Sequence, residues 1–449
     1  MKRLFNIIIT SVLAFVGFTA VKAANDGSIV INRTETNYKT TYNAYRLFDL
    51  SFDQENDSYA YTLNDKWNAF FTTGEGNSFV EISDITNADG KKYVTLKSGA
   101  DVASLAKKAL TYAKANSIAN DGSTDIAKGE SSATISGLPL GYYLVDSSLG
   151  ATCHLSSTAK QATVAEKNAE PTIAKTAQTA INGTAKIGDV VSYTVTITPA
   201  DGYENYVFKD LMTSGLTYNK NAQISYAGAT PTGAAIDNNA GEGYTFKIDF
   251  SNVNLEGVTG ITITYSATIN KNAIDENATQ SNAATLSFGD NNITDSTQAK
   301  VDTTTYNAKF KKVSDKNKNL SGARFKLYDA QTNGNEIKVV KVSDGVYRVA
   351  EEGEIVVEYI EAGSVTIKGL AGTKYYLEEI AAPEGFTKLG SRVEITADNT
   401  TELPVVNTTG TVLPTTGGVG TKLFILIGSI MVLSLGTVLI AKFRMSKEA

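Results

Sequence analysis

Apolar and polar residues alternate with a period of two along most of the chain, in runs rich in Val, Ile, Thr, Tyr and Phe such as GSIVI, VVSYTVTITP, ITITYSATI, SVTIKGL and SRVEITAD. Clusters of Asn, Asp and Gly separate these runs. Successive side chains on a strand point to opposite faces, so the spacing predicts antiparallel β-sandwiches with an apolar inner face and a polar outer one. One stretch departs from it. GADVASLAKKALTYAKANSI repeats at the helical period, with Val102, Leu105, Ala109 and Leu110 on its apolar side, and predicts a helix inserted in the first domain. Polar, Thr-rich joints near residues 165–172 and 298–306 divide the body into blocks of 25–169, 170–303 and 304–410.

Both ends break the alternation. Residues 1–23 have a basic start, an apolar middle and small residues at the end, which is the pattern of a secretory signal peptide cut after Ala23 or Ala24. Residues 423–441 form an uncharged apolar run. As a helix rising about 1.5 Å per residue it spans roughly 28 Å, close to the thickness of a bilayer core. Lys442, Arg444 and Lys447 in the tail 442–449 follow it, and basic residues stay on the cytoplasmic side, so the body is expected outside the cell.

Composition narrows the chemistry. With 41 basic and 47 acidic residues and no basic stripe, the chain is not built for nucleic acid. Its single cysteine, Cys153, excludes an intramolecular disulfide framework and reads as a small buried residue. One histidine, His154, beside it leaves no cluster for a zinc site or a catalytic triad. The segment DKNKNLSGARFK spaces oxygen-bearing side chains like a calcium loop, but Leu320 stands where the glycine is required and Lys326 where the bidentate glutamate is. No metal and no cofactor are expected.

Polar residues that continue an apolar face are the candidates for chemistry. In YYLEEIAAPEGF, residues 375–386, Glu379 shares a face with Tyr375 and Leu377. In AKFKKVSD, Lys312 shares one with Phe310, and in TELPVVN, Asn407 follows Leu403 and Val405. A buried lysine tends to lose its charge and a buried glutamic acid to keep its proton, because desolvation disfavours both ions. Such a trio can exchange an amide: Lys312 attacks the Asn407 side-chain carbonyl while Glu379 polarises it and moves protons as ammonia leaves. From the pattern alone, a buried Lys–Glu ion pair beside a capping Asn is an equal reading. The middle block repeats the arrangement, with Lys175 beside Ile173, Asp210 beside Tyr206 and Phe208, and Asn282 beside Ala284, Leu286 and Phe288.

YYLEEIAAPEGF resembles the E-box of Gram-positive pilins, matching at Tyr375, Leu377, Glu379, Ala382, Pro383 and Gly385 and departing at Ile380 and Phe386. KKVSDKNKNLSGARFKLYD is similar to the opening of a Cna B-type domain, and LPTTG, which is Leu413, Pro414, Thr415, Thr416 and Gly417, resembles the sortase sorting signal. The likeness is to the backbone subunit of a sortase-assembled pilus. It implies an all-β chain of three tandem Ig-like β-sandwich domains, with a small helical insertion in the first, a signal peptide and a C-terminal transmembrane helix. It also implies Lys–Asn isopeptide bonds from Lys312 to Asn407, promoted by Glu379, and from Lys175 to Asn282, promoted by Asp210, with Asn277 as the other asparagine available.

In the first block LPLGYYLVDSS is a weaker E-box relative that carries Asp146, but Arg33 stands where an amine is needed, and a guanidinium does not deprotonate. No bond is expected there. ATVAEKNAEPTI resembles the pilin motif, Tyr-Pro-Lys-Asn in many relatives, at Lys167 and Asn168, with Ala165-Glu166 in place of Tyr-Pro. The resemblance thus implies a secreted structural protein, not an enzyme, cut between Thr416 and Gly417 and joined to Lys167 of another copy. The implied partners are a class C-type pilin sortase, a housekeeping sortase, other copies of the chain, minor pilins and peptidoglycan at the wall of a Gram-positive cell. The competing reading is a wall-anchored monomeric adhesin or minor pilin whose first domain binds a host surface ligand.

Overall fold

A computed structural model of the chain describes residues 27–34, 37–53, 58–157, 161–166, 170–200, 204–274, 279–290, 294–295, 298–410 and 419–446. The signal-peptide stretch, Lys167, Asn168, Asn277, the LPTTG segment and Lys447 lie outside them, as do the side chains of Cys153 and His154. The chain divides into two compact units, one of Met1–Tyr306 with Val349–Glu354 and Lys368–Gly372, the other of Asn307–Arg348, Ile355–Ile367 and Thr373–Ala449.

The fold is all-β, in stacked sheets. At the start of the first unit, strand Gly27–Arg33 buries alternate residues and lies between Ser132–Leu138, antiparallel, and Gln161–Glu166, parallel. A larger sheet runs in the order Val80–Thr86, Lys92–Leu96, Ser58–Leu63, Thr40–Asp53, Gly141–Ser147, Gly150–Ser157. Helix Val102–Ala115 covers part of it. The Asp101 side chain accepts from the backbone N–H groups of Ala103 and Ser104 at 3.1 and 3.2 Å, which satisfies two of the donors a helix start leaves open. Leu105, Ala109 and Leu110 are buried with Trp67, Phe70 and Phe71. Val102, expected on that apolar side, is 40% exposed because it opens the helix, a turn beyond the packed surface. A second short helix, Asn68–Thr72, went unread in the sequence, although Trp67, Phe70 and Phe71 recur at helical spacing.

Two further sheets follow. One orders Thr172–Gln178, Val190–Thr198, Val258–Ile269 and Leu216–Tyr218; the other orders Ala235–Asp237, Phe246–Asp249, Val207–Met212, Thr279–Phe288 and Thr294–Asp295, with Ala299–Thr304 also on Thr279–Phe288. Val191, Tyr193, Val195 and Ile197 turn inward from strand Val190–Thr198 in strict alternation. The last pair comprises Val339–Ser343, Val346–Val349, Ser364–Leu370, Tyr306–Ser314, Glu402–Asn407 and, across from it, Glu336–Ile337, Arg324–Tyr328, Lys374–Ala381, Val393–Thr396. Here too a first strand pairs in parallel with a last one, Lys312 opposite Val405 and Ser314 opposite Asn407. Helix Val419–Met445 is apolar on all sides along its middle, with mean hydropathy 2.6 over an 18-residue window, and fits a transmembrane anchor.

The first-to-last pairing near the N-terminus encloses a polar cluster. Buried Arg33 donates from Nε to Glu130 O at 2.9 Å, from Nη1 to Thr40 Oγ1 at 2.7 Å and from Nη2 to Ala127 O at 2.7 Å. Beside it the Tyr42 hydroxyl donates to Glu166 Oε2, and Arg33 and Glu166 are register partners on the parallel strands. Burial and the Glu166 carboxylate push the Tyr42 phenol far above its ordinary range. Replacing Arg33 with alanine would leave Glu130 O, Ala127 O and Thr40 Oγ1 without their charged donor, a loss of about 2–3 kcal/mol. Urea unfolding of Arg33→Ala is therefore expected to show the segment 27–166 destabilised by that order, and a change within experimental error would show that the cluster does not hold the two strands.

Candidate functional site

Two clusters of lysine, acid and asparagine lie between sheets, each with the lysine and acid side chains fully shielded from solvent. In the C-terminal one, Lys312 and Asn407 come from adjacent parallel strands, and Lys312 is offset by two residues from Asn407 in register, so their side chains share the inner face. Glu379 reaches in from Lys374–Ala381 in the opposing sheet. Lys312 Nζ donates to Asn407 Oδ1 and, at 2.9 Å, to Val405 O; Glu379 Oε1 stands 3.7 Å from Nζ. Asn407 Nδ2 donates to Glu379 Oε2 at 3.0 Å and to Thr387 O at 2.8 Å. The ring of Phe325 lies 5.9 Å from Nζ and keeps water out.

The turn after Lys374–Ala381 builds half of this geometry. Phe386 N–H closes on Pro383 O at 3.1 Å, and Gly385 takes a φ of 83°, a left-handed conformation that a side chain disfavours. The chain then doubles back, so that Thr387 O meets the Asn407 amide and Leu389 N–H donates to Glu379 Oε2 at 2.8 Å. Neither backbone contact was apparent from the alternation of residues. Burial pushes the Lys312 amine below its ordinary range, against the opposing pull of Glu379.

The second cluster takes Lys175 from one sheet and Asp210 and Asn282 from the facing one. Lys175 Nζ donates to Asp210 Oδ2 at 2.5 Å. The Tyr265 hydroxyl donates to the same Oδ2, and Asn282 Nδ2 donates to the Tyr265 oxygen at 3.3 Å. Among the described residues, Asp210 Oδ1 and Asn282 Oδ1 are buried with no hydrogen-bond partner. Nζ sits 5.3 Å from the Tyr193 ring and 5.5 Å from the Tyr265 ring. Burial lowers the Lys175 amine to about 8, with Asp210 pulling the other way, and burial raises the Asp210 carboxyl. The two tyrosines were missed in the sequence. Their signal was an inward-facing Tyr in VVSYTVTITP and another in ITITYSATI, since a buried phenol needs a partner for its hydroxyl.

Asp146 is also buried, but the charges that bear on it are Lys114, Asp290 and Glu204, and Arg33 is spent on backbone carbonyls and Thr40. Burial raises the Asp146 carboxyl to about 7. Among the described residues no group of His, Cys, Asp and Glu could hold a metal ion.

Residues 306–409 match the family model of the SpaA prealbumin-like fold domain, and residues 187–292 match that of the Gram-positive pilin backbone subunit 2, Cna-B-like domain. The chain carries the domains of a Gram-positive backbone pilin. Solved structures similar to this chain include the T6 backbone pilin of Streptococcus pyogenes, at 19% identity over 83% of this chain and 80% of that one, TM-score 0.49. The RrgB pilus protein of Streptococcus pneumoniae matches at 14% identity over 88% and 100%, TM-score 0.45. The major pilin SpaA of Corynebacterium diphtheriae matches at 13% over 85% and 100%, TM-score 0.46. No curated protein matches the sequence. The likeness rests on the two domain models, which describe structural domains of pilus subunits.

The second cluster carries a pH signature that can be read where the amine stays free. In Asn282→Ala the amine has no acyl partner and still titrates. Between pH about 8 and 10.5 the unfolded chain holds a proton that the folded one has released, so stability rises with pH across this window and is lost again as pH falls through about 8. The slope should approach 1.4 kcal/mol per pH unit. Denaturant unfolding of Asn282→Ala against Lys175→Met/Asn282→Ala checks it: the double variant should lack the rise.

Proposed function

We propose that the chain is the polymerising subunit of a cell-wall pilus, with Lys–Asn isopeptide bonds inside its middle and C-terminal domains. The domains are taken as 25–169, 170–303 and 304–410. The observation that carries the reading is the Lys312 amine held, without solvent, against the Asn407 carbonyl, with Glu379 on the amide nitrogen. Nζ attacks Cγ of Asn407, Glu379 moves protons between Nζ and Nδ2, and ammonia leaves as the new amide forms. Lys175, Asp210 and Asn282 perform the same exchange in the middle domain. Polymerisation uses different groups: a sortase cuts LPTTG after Thr416 and passes the acyl group to Lys167 of the next copy. Repetition of this head-to-tail contact gives an open fibre, and a housekeeping sortase attaches its base to peptidoglycan.

Intact mass of the folded chain should fall short of its sequence mass by two ammonias, and Glu379→Ala should restore one. A full sequence mass in the wild type would overturn the internal bonds. Each bond closes a loop, in the C-terminal case between residues 95 apart, and by analogy with a disulfide should stabilise by about 4–5 kcal/mol.

Lys167→Ala should leave folding and both bonds intact while removing the SDS-resistant ladder from cell-wall extracts, with monomer still attached. If wild-type extracts give a single band, the chain is the monomeric adhesin or minor pilin. If the ladder survives Lys167→Ala, another lysine receives Thr416.

A further inference from the structure

The two clusters differ in how the acid reaches the leaving nitrogen. Glu379 touches Asn407 Nδ2 directly at 3.0 Å. Asp210 is one methylene shorter, and its hydrogen-bonded oxygen, Oδ2, is occupied by Lys175 Nζ and the Tyr265 hydroxyl, while Oδ1 has no partner. Asn282 Nδ2 donates to the Tyr265 oxygen at 3.3 Å. Asn282 also bears on Asp210, but the hydrogen bonds that link the acid to the leaving nitrogen among the described side chains run through a phenol, a group the C-terminal cluster does not use.

We propose that Tyr265 is a catalytic residue of the middle domain, a proton relay between Asp210 and the departing amide nitrogen of Asn282. The proposal rests on the isopeptide reading of this domain. Once Lys175 Nζ has bonded to Cγ of Asn282 and the tetrahedral centre has freed the Nδ2 lone pair, the Tyr265 hydroxyl turns from Oδ2 to Nδ2 and gives it its proton, while protonated Asp210 gives its own to the Tyr265 oxygen. The Cγ–Nδ2 bond breaks, ammonia leaves, and the surplus proton on Nζ returns to Asp210. Amine and primary amide become secondary amide and ammonia, with the acid and the phenol restored. A hydroxyl suits this role because it donates and accepts at once, and burial together with Asp210 keeps the Tyr265 phenol protonated. Strand pairing fixes its position. Tyr265 is the register partner of Tyr193, and the two rings stack at 5.3 Å and 27°. Tyr193 shares the packing and its hydroxyl bears on Asn282 and Thr303, but no hydrogen bond from it to Asp210 is present among the described side chains, which makes it the control for a phenol beside the amide that does not reach the acid.

The test follows bond formation in newly made protein. The full-length chain is produced by cell-free translation in detergent, samples are quenched over time, and the joined Lys175–Asn282 peptide is quantified by mass spectrometry. The joined Lys312–Asn407 peptide serves as an internal clock, and protease resistance reports folding. Tyr265→Phe should slow Lys175–Asn282 joining roughly a hundredfold, the scale of a lost acid–base group, while leaving the clock unchanged; Tyr193→Phe should join at the wild-type rate. Packing effects are separated by 3,5-difluorotyrosine in place of Tyr265, which keeps the ring and hydroxyl but has a more acidic phenol and should move the pH profile of joining. A wild-type rate in Tyr265→Phe, equal slowing in Tyr193→Phe, or an unmoved pH profile overturns the relay alone. Absence of the wild-type Lys175–Asn282 peptide would overturn the crosslink reading of the domain, and the relay with it.

Discussion

An ammonium group carried from water into a protein interior loses several kcal/mol of solvation, and the side chains of Lys175 and Lys312 have no solvent exposure. Each is offered one acid, and for each the desolvation outweighs the pull of that acid, leaving the amine below its ordinary pKa. Most proteins avoid such an arrangement. Here the sandwiches are closed around it: the strands bearing the lysine, the acid and the asparagine are brought to one core from distant parts of the chain, and aromatic rings fill the remaining space. A buried unpaired carbonyl on Asn282 and a bare oxygen on Asp210 add to the cost. On the proposed reading, that cost is relieved by a reaction that removes charge and releases a small polar molecule.

The first sandwich places another solution at the corresponding seam. Its first and last strands also pair in parallel, but the buried groups are Arg33, Thr40, Tyr42 and Glu166. A guanidinium keeps its charge where an amine gives it up, so the same architecture ends in a hydrogen-bonded lock instead of a nucleophile. The two seams differ on both strands, Arg33 against Lys312 on the opening one and Glu166 against Asn407 on the closing one.

Much of the fold could be read from period-two alternation, because each strand has one wet face and the pattern is local. The inward faces of Lys312, Glu379, Asn407, Lys175, Asp210 and Asn282 were legible for the same reason, and the structure has each trio within one cluster. What the alternation did not contain was anything set by backbone direction or by cross-sheet distance. Leu389 N–H on Glu379 and Thr387 O on Asn407 depend on how the chain turns after Gly385. The Tyr265 bridge depends on the short reach of Asp210 across the gap between sheets. The exposure of Val102 follows from where a helix begins relative to the surface it covers, which its period cannot give.

Parallel pairing of an opening strand with a closing one has a mechanical meaning. Tension applied along the chain enters Tyr306–Ser314 at its N-terminal end and leaves Glu402–Asn407 at its C-terminal end, so the seam is pulled in shear and its backbone hydrogen bonds share the load instead of failing one after another. A covalent Lys312–Asn407 link across that seam would shunt the force from one strand straight into the other. The residues between them would hang outside the load path, free to vary in sequence and to fold or breathe without lengthening the fibre.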